Sequence, residues 1–510
     1  MENIILMFAI GTDLKYFCIT CIIACRNSIM LFNSLPFILL FLPLSVAVYY
    51  FLISKRVILG ARLWLVGVSL FFYSWWNVYY LPLILISMAV NFTLGSTISS
   101  PETRVNKRLL LIIGIILNLG ALAYFKYTDF MIANANILFH SQIPLQHIAL
   151  PLAISFFTFQ QIAYLVDCYK NLVKEYDVLS YALFVSFFPQ LIAGPIVAHY
   201  EMMPQFIKTS NLVKNYKNIF SGIVIFIIGL FKKIVIADTF AQYATIGFDK
   251  LDTLTLWGGW FTSLSYTTQI YFDFSGYCDM ALGCALLFNI NLPINFNSPY
   301  KALNIQDFWR RWHITLSRFL KDYLYIPLGG NRKGEMRSYF NVFTVFLLGG
   351  LWHGAAWTFV IWGVLHGLAN IVYRIWKKVG LTLPKFVAWF ITFNFINIAW
   401  VFFRAKDFTA ATKVLSAMFD FASLNAINRP WWRMRYYLAD FNVRSNAFYG
   451  VLIILMLCLI LPNSVQIIRK LSLSGKKMTL FVSIVLAAVS FGLIAKMVII
   501  PYTEFIYFNF

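Results

Sequence analysis

Charge is what this sequence has least of. Only 12% of its 510 residues are Asp, Glu, Lys or Arg, with 20 acids against 41 basic residues. Soluble domains carry roughly 25% charged residues, so there is too little polar side chain here to coat a water-facing shell. With 60% hydrophobic residues and a mean hydropathy of +0.74, an ordinary soluble enzyme, a disordered chain and a disulfide-knit secreted scaffold are excluded. The seven cysteines make no framework. Cys168, Cys278, Cys284 and Cys458 stand singly among apolar residues and read as packing. Cys18, Cys21 and Cys25 cluster with no histidine near them, so no metal site is expected.

Several catalytic signatures are missing too. There is no Gly-x-Ser-x-Gly elbow, no His-Glu-x-x-His, no phosphate-cradling Gly-rich loop ending in Lys-Ser/Thr, and no Asp-x-Asp pair. An α/β-hydrolase, a zincin and a P-loop enzyme drop out. The formal charge of +21 does not point to nucleic acid, because the basic residues fall in short stretches between apolar runs, as beside a cytoplasmic membrane face.

What is present in quantity is apolar length. A helix crosses a bilayer with about 20 apolar residues. The stretches 31–53, 61–76, 78–94, 109–125, 148–166, 179–197, 218–237, 256–272, 339–351, 356–373, 386–403, 447–461 and 479–500 all qualify as elements at membrane depth. Several are short or carry Pro and Gly, which suits re-entrant or interior positions. No internal repeat is visible, which counts against a carrier built from inverted halves. Residues 1–29 lack the pattern of a removable signal peptide, and a second methionine, Met30, precedes a better membrane segment. They read as an extension before a single membrane domain over 30–510.

Two stretches interrupt the apolar pattern. Residues 298–338 hold eight basic and three acidic residues interleaved with Phe308, Trp309, Trp312, Phe319, Leu320, Tyr323 and Tyr325. That mixture predicts an amphipathic helix in the membrane interface, able to support a reaction site at its rim. Residues 404–446, with Trp431 and Trp432 among arginines, read as an interfacial anchor.

Six histidines are the main chemical candidates. His140, His147 and His199 sit at loops or boundaries, where structural roles fit, and His366 in a strongly apolar run reads as a packing histidine. His353 differs: it stands in Gly349-Gly350-Leu351-Trp352-His353-Gly354, among small residues that admit close backbone approach. An ionisable group so deep is a functional candidate by default, and burial favours the neutral imidazole that can accept a proton. His313 lies 40 residues upstream, in Trp309-Arg310-Arg311-Trp312-His313. Asp273 and Asp279 are the notable buried acids; a structural ion pair is the plainer reading, with Arg310 or Arg311 as the expected partner.

These residues fall in an ordered series. It runs from Phe272-Asp273-Phe274-Ser275-Gly276-Tyr277 through Asn295-Phe296-Asn297-Ser298-Pro299-Tyr300 and Asp307-Phe308-Trp309-Arg310-Arg311-Trp312-His313. It continues through Asp322-Tyr323-Leu324-Tyr325-Ile326-Pro327-Leu328-Gly329-Gly330-Asn331-Arg332 to Leu351-Trp352-His353-Gly354. The series resembles the membrane-bound O-acyltransferases, in particular their bacterial alginate and peptidoglycan O-acetylation branch. Weaker agreement covers Pro189 to Pro195 and the terminal Phe505 to Phe510, while Cys278, Phe319 and Asn509 depart from the usual residues.

The resemblance implies an all-α polytopic membrane protein, a ring of about a dozen transmembrane helices around a central catalytic funnel, in the bacterial cytoplasmic (inner) membrane. It implies His353 as the catalytic histidine and His313 as its active-site partner. The implied donor is acetyl-CoA, with no permanently bound cofactor and no metal. By charge logic, Arg310, Arg311 and Arg332 are expected to hold its phosphates. The implied partner is a periplasmic or surface-anchored esterase-like O-acetyltransferase that sets acetyl on a cell-envelope polysaccharide, first of all peptidoglycan, with alginate or another exopolysaccharide as alternatives. Two rivals stand beside this: D-alanyl transfer to teichoic acid, and a passive exporter in which His353 is merely structural.

Overall fold

In the computed structural model, the described residues are 30–510 except 175–176, 193, 424–437, 439–440, 442–446, 472–475, 500–504 and 507–510. Residues 1–29 with their three cysteines, Trp431 and Trp432 lie outside them. Among the described residues every regular element is helical, the arrangement that satisfies backbone groups within each segment where no water can.

The helices that matter for the site are α1 (Leu42–Ser54), α2 (Ile58–Trp76), α3 (Leu81–Ser99), α4 (Lys107–Phe139), α5 (Ile154–Tyr169), α6 (Tyr216–Phe231), α7 (Leu256–Leu287), α8 (Ile305–Arg311), α9 (Ile314–Leu320), α10 (Glu335–His353), α11 (Trp357–Val379) and α12 (Lys385–Arg404). Eight helices among the described residues are long and apolar enough to cross a membrane, and a bent pair at Ala447–Ile460 and Ser464–Leu471 would make nine. The protein is thus an all-α, multi-pass membrane protein. Other expected elements are interior helices: α5 is short and almost wholly buried, and α7, rich in Ser and Thr, is buried nearly end to end.

Glycines bring α6 and α7 into backbone contact. A Cβ on Gly222 or Gly229 would sit 2.8 or 2.5 Å from the carbonyl oxygens of Gly283 and Gly276, and the reverse substitutions meet the same obstacle. Only small residues permit that crossing. The crossing also corrects the expected partners of the buried acids. Lys233 pairs with Asp273 at 2.6 Å and Asp238 at 2.9 Å, and Lys232 pairs with Asp279 at 2.6 Å. The lysines win because they follow Gly229 on the chain that lies against α7, whereas Arg311 is taken by Asp307 at 2.9 Å.

The 298–338 segment is not one amphipathic helix. It breaks into a single turn, α8, α9, a π-helical turn at Lys321–Tyr325 and tight turns before α10. Phe308, Trp309, Trp312, Phe319 and Leu320 are buried in the core. Most of the residues that suggested an interfacial face thus pack into the core, with Tyr323 and Tyr325 half-buried.

Candidate active site

His353 is the last residue of α10, at the point where the chain turns into α11. The turn is tight because a Cβ on Gly354 would strike the Phe359 ring at 2.1 Å, and one on Gly350 would strike the Phe359 carbonyl at 2.4 Å. His353 is buried, with Trp352, Trp362 and Phe403 packed around its ring at centroid distances of 4.9, 5.1 and 5.1 Å.

His313 forms the joint between α8 and α9 and takes a left-handed backbone conformation, φ +44°. Such a conformation is uncommon for a residue with a Cβ and has to be held by its surroundings. The 295–297 segment does this. Asn297 donates its backbone N–H to the Arg311 carbonyl at 2.9 Å, and Ile314 donates to the Asn295 carbonyl at 3.0 Å.

The Asn295 side chain fixes the imidazole. Its Oδ1 accepts the Thr315 backbone N–H at 3.2 Å and the Thr315 hydroxyl at 3.0 Å, and lies 3.1 Å from His313 Nδ1. A backbone N–H can only donate, so the Asn295 atom is an oxygen and Nδ1 carries the ring proton. Nε2 therefore holds the lone pair. It is buried with no hydrogen-bond partner among the described residues, so it is open to accept a hydrogen bond.

The His313 and His353 ring centroids lie 6.4 Å apart. That is too far for a direct hydrogen bond and close enough for one small group to touch both. Phe274 closes the site edge-on to His313 at 4.8 Å, and the terminal Phe505 packs on Phe274 and Tyr277. The approach of the C-terminal residues was not readable as a site feature, since only folding brings Phe505 there.

One opening reaches His353, and a second reaches only Asn295, the residue that holds His313. A depression of about 50 Å³, lined by Trp76, Lys126, Leu150, Ser155, Trp352 and His353, leads to His353. A narrow cleft of about 10 Å³, lined by Lys232, Ser275, Cys278, Asp279, Asn295 and Ser464, leads to the partner of His313; its size suits roughly one water.

The other expected residues are scattered. Arg310 and Arg332 are exposed, and Arg311 is half-buried on Asp307. His366 is buried, and its Nδ1 accepts the Trp309 indole N–H at 3.2 Å. His140 and His147 lie on the exposed loop after α4, and His199 is buried against Tyr164 and Phe184. No group of three or more metal-binding side chains occurs among the described residues. A neutral imidazole pair in an aromatic, water-poor box can accept a proton from a hydroxyl and hold it beside an electrophile.

Comparisons with known proteins agree with that chemistry. The profile of the membrane-bound O-acyltransferase family matches residues 68–412. The chain is 55% identical over 423 residues to a peptidoglycan O-acetyltransferase of Helicobacter pylori, covering 77% of this chain and 80% of that protein. It is 39% identical over 410 residues to a probable alginate O-acetylase of Pseudomonas aeruginosa, covering 78% and 77%. A teichoic acid D-alanyltransferase of Bacillus subtilis is 29% identical over 273 residues, covering 50% of this chain and 69% of that protein.

Proposed function

The chain belongs to the membrane-bound O-acyltransferase family, and we propose that it carries acetyl from cytoplasmic acetyl-CoA across the membrane for the O-acetylation of peptidoglycan. The observation that carries the reading is the buried His313–His353 pair, 6.4 Å apart, with an opening at His353 and a narrow cleft at Asn295 beside His313. The choice of polymer follows the greater similarity to the peptidoglycan enzyme than to the alginate one.

In this mechanism neutral His353 draws the proton from the acceptor hydroxyl as its oxygen attacks the thioester carbonyl. The carbon–oxygen bond forms, the carbon–sulfur bond breaks, and the proton on His353 is passed to the departing thiolate. General-base help of this kind is worth roughly 10²–10⁴ in rate. His313, whose Nδ1 proton is directed at Asn295 Oδ1, presents only a lone pair at Nε2. Because the reacting hydroxyl's one proton goes to His353, His313 orients the acceptor by accepting from a second hydroxyl or a bound water. In that tautomer it has no proton to give an oxyanion.

Orientation follows from charge. Lys107 and Arg108 begin α4, Arg337 is near the start of α10 and Lys377 and Lys378 close α11, whereas the 140–153 loop carries no lysine or arginine. Basic ends favour the cytoplasm. The depression at His353 therefore faces outward, toward the acceptor and an esterase-like O-acetyltransferase partner that delivers acetyl to sugar hydroxyls. Donor phosphates meet the basic face, where Arg310, Arg311 and Arg332 are the proposed contacts. Residues 298–338 serve this chemistry as part of one domain over 30–510.

The test is base-released acetate from purified peptidoglycan of a deletion strain, the restored strain and one restored with His353→Ala at equal protein level. Acetate should fall in the deletion, return with the intact chain, and stay at least about 100-fold down with His353→Ala. Constant acetate in all strains would exclude peptidoglycan and move the assay to secreted polysaccharide. Full acetate with His353→Ala would reject the base.

A further inference from the structure

Lys126 is an anomaly in α4. It sits in a membrane-spanning helix, after a run of some fifteen apolar or small residues broken only by Asn118. Ionisable groups in such helices are costly and face the bundle interior, where they have partners and a use. The ammonium of Lys126 donates to the backbone carbonyls of Trp352 at 2.6 Å and His353 at 3.0 Å, and lies 3.5 Å from the Ser155 hydroxyl. The next residue of the same helix, Tyr127, donates its hydroxyl to the Leu351 carbonyl at 2.5 Å.

Three consecutive carbonyls at the end of α10 are thus taken by two neighbouring side chains of α4. The final carbonyls of a helix have no partner within it, and a cation is favoured at that end by the aligned peptide dipoles. The chain after α10 offers little of its own: Gly354 is extended, with φ −162°. His353 is the terminal helical residue, so its ring is only as fixed as that last turn. Trp352 is held at the same place, stacked on Phe159 at 4.9 Å with Lys126 over its ring at 5.9 Å.

We propose that Lys126, assisted by Tyr127, is a positioning residue for the reaction, a cap supplied by another helix that sets where His353 points. Lys126 also lines the depression that leads to His353, so its charge stands at the entrance used by the acceptor. The inference rests on the proposed role of His353, and its experiment keeps the two apart.

Strains lacking the chain are restored with wild type, Lys126→Met, Lys126→Arg, Tyr127→Phe or His353→Ala. Ester-linked acetate is measured on the acetylated polymer, per amount of monodisperse protein extracted in mild detergent. Lys126→Met should lower acetate at least tenfold at matched folded protein, Lys126→Arg should keep at least half of the wild-type level, and Tyr127→Phe should lose about threefold. The arginine arm separates a cation on carbonyls from simple space filling. Lys126→Met within twofold of wild type, or Arg no better than Met, overturns the proposal while His353→Ala remains inactive. If Lys126→Met does not accumulate folded, Tyr127→Phe decides, since it removes one oxygen only, and a wild-type level overturns the cap. Activity surviving in His353→Ala would instead sink the catalytic reading and this inference with it.

Discussion

Asn295 is the residue on which the chemistry of His313 turns. Three donors converge on its side-chain oxygen, and one of them, the Thr315 backbone N–H, leaves no choice about which atom is the oxygen. Removing it by Asn295→Ala frees the Nδ1 proton and permits the other tautomer, which would turn Nε2 from the acceptor that orients the bound acceptor molecule into a donor. A wrong tautomer costs about 10⁴ in a serine-protease triad, where the histidine is itself the base; for a histidine that orients, we expect a loss of tenfold or more in ester-linked acetate at matched folded protein. Unchanged acetate would show that the tautomer of His313 is irrelevant. In the sequence, His353 stands out by its glycine-rich, apolar surroundings, whereas His313 enters as its partner only through the family resemblance; folding brings the two rings to 6.4 Å. Asn295 was visible only as part of a resembling motif. Its function depends on the left-handed turn at His313, which no local spacing announces.

At the scale of elements, close crossings held by glycine decide the architecture. Gly276 on α7 faces the Gly229 carbonyl, which an added Cβ would approach to 2.8 Å, and Lys232 and Lys233 follow at once along the partner chain. Gly276→Ala should therefore force the helices apart, at about 1–3 kcal/mol, and loosen the pairing of Asp273 and Asp279. Gly120 on α4 has nothing within 4 Å of its would-be Cβ, so Gly120→Ala should be neutral or stabilising by up to about 1 kcal/mol. Thermal unfolding of the two variants in detergent, read by loss of monodisperse protein, checks the contrast; equal melting would remove the argument. Hydropathy made the membrane helices legible, since apolar length is a local property. It did not reveal which helices are interior or which cation meets which acid. The Arg310 and Arg311 expectation failed because proximity in sequence to α7 said nothing about the glycine crossing that places Lys232 and Lys233 there. The aromatic-rich 298–338 segment misled in the same way, its composition being equally at home at a membrane interface and in a packed core.

For the whole molecule, the arrangement of charge carries the direction of transfer. The depression at His353 is walled by Trp76 at the end of α2 and by the 150–156 segment, beside the 140–153 loop that lacks lysine and arginine. If that loop faces outward, acceptor chemistry and donor chemistry are separated by the bilayer and joined only through the histidines. Single cysteines placed at Gln146 and at Gly380, the latter directly after Lys377 and Lys378 at the end of α11, report the orientation. A membrane-impermeant maleimide should label Gln146→Cys in intact spheroplasts and Gly380→Cys only after lysis, each above the background of the parent chain. Cys168, Cys278 and Cys284 are buried and Cys458 only partly so, so the parent chain is one in which Cys18, Cys21, Cys25 and Cys458 are replaced by serine. Labelling in the reverse order would put the His353 depression on the cytoplasmic side, where a thioester and not a wall polymer would meet it first. The roles assigned to the two openings would then have to be exchanged, even though the histidine pair and its chemistry stayed the same.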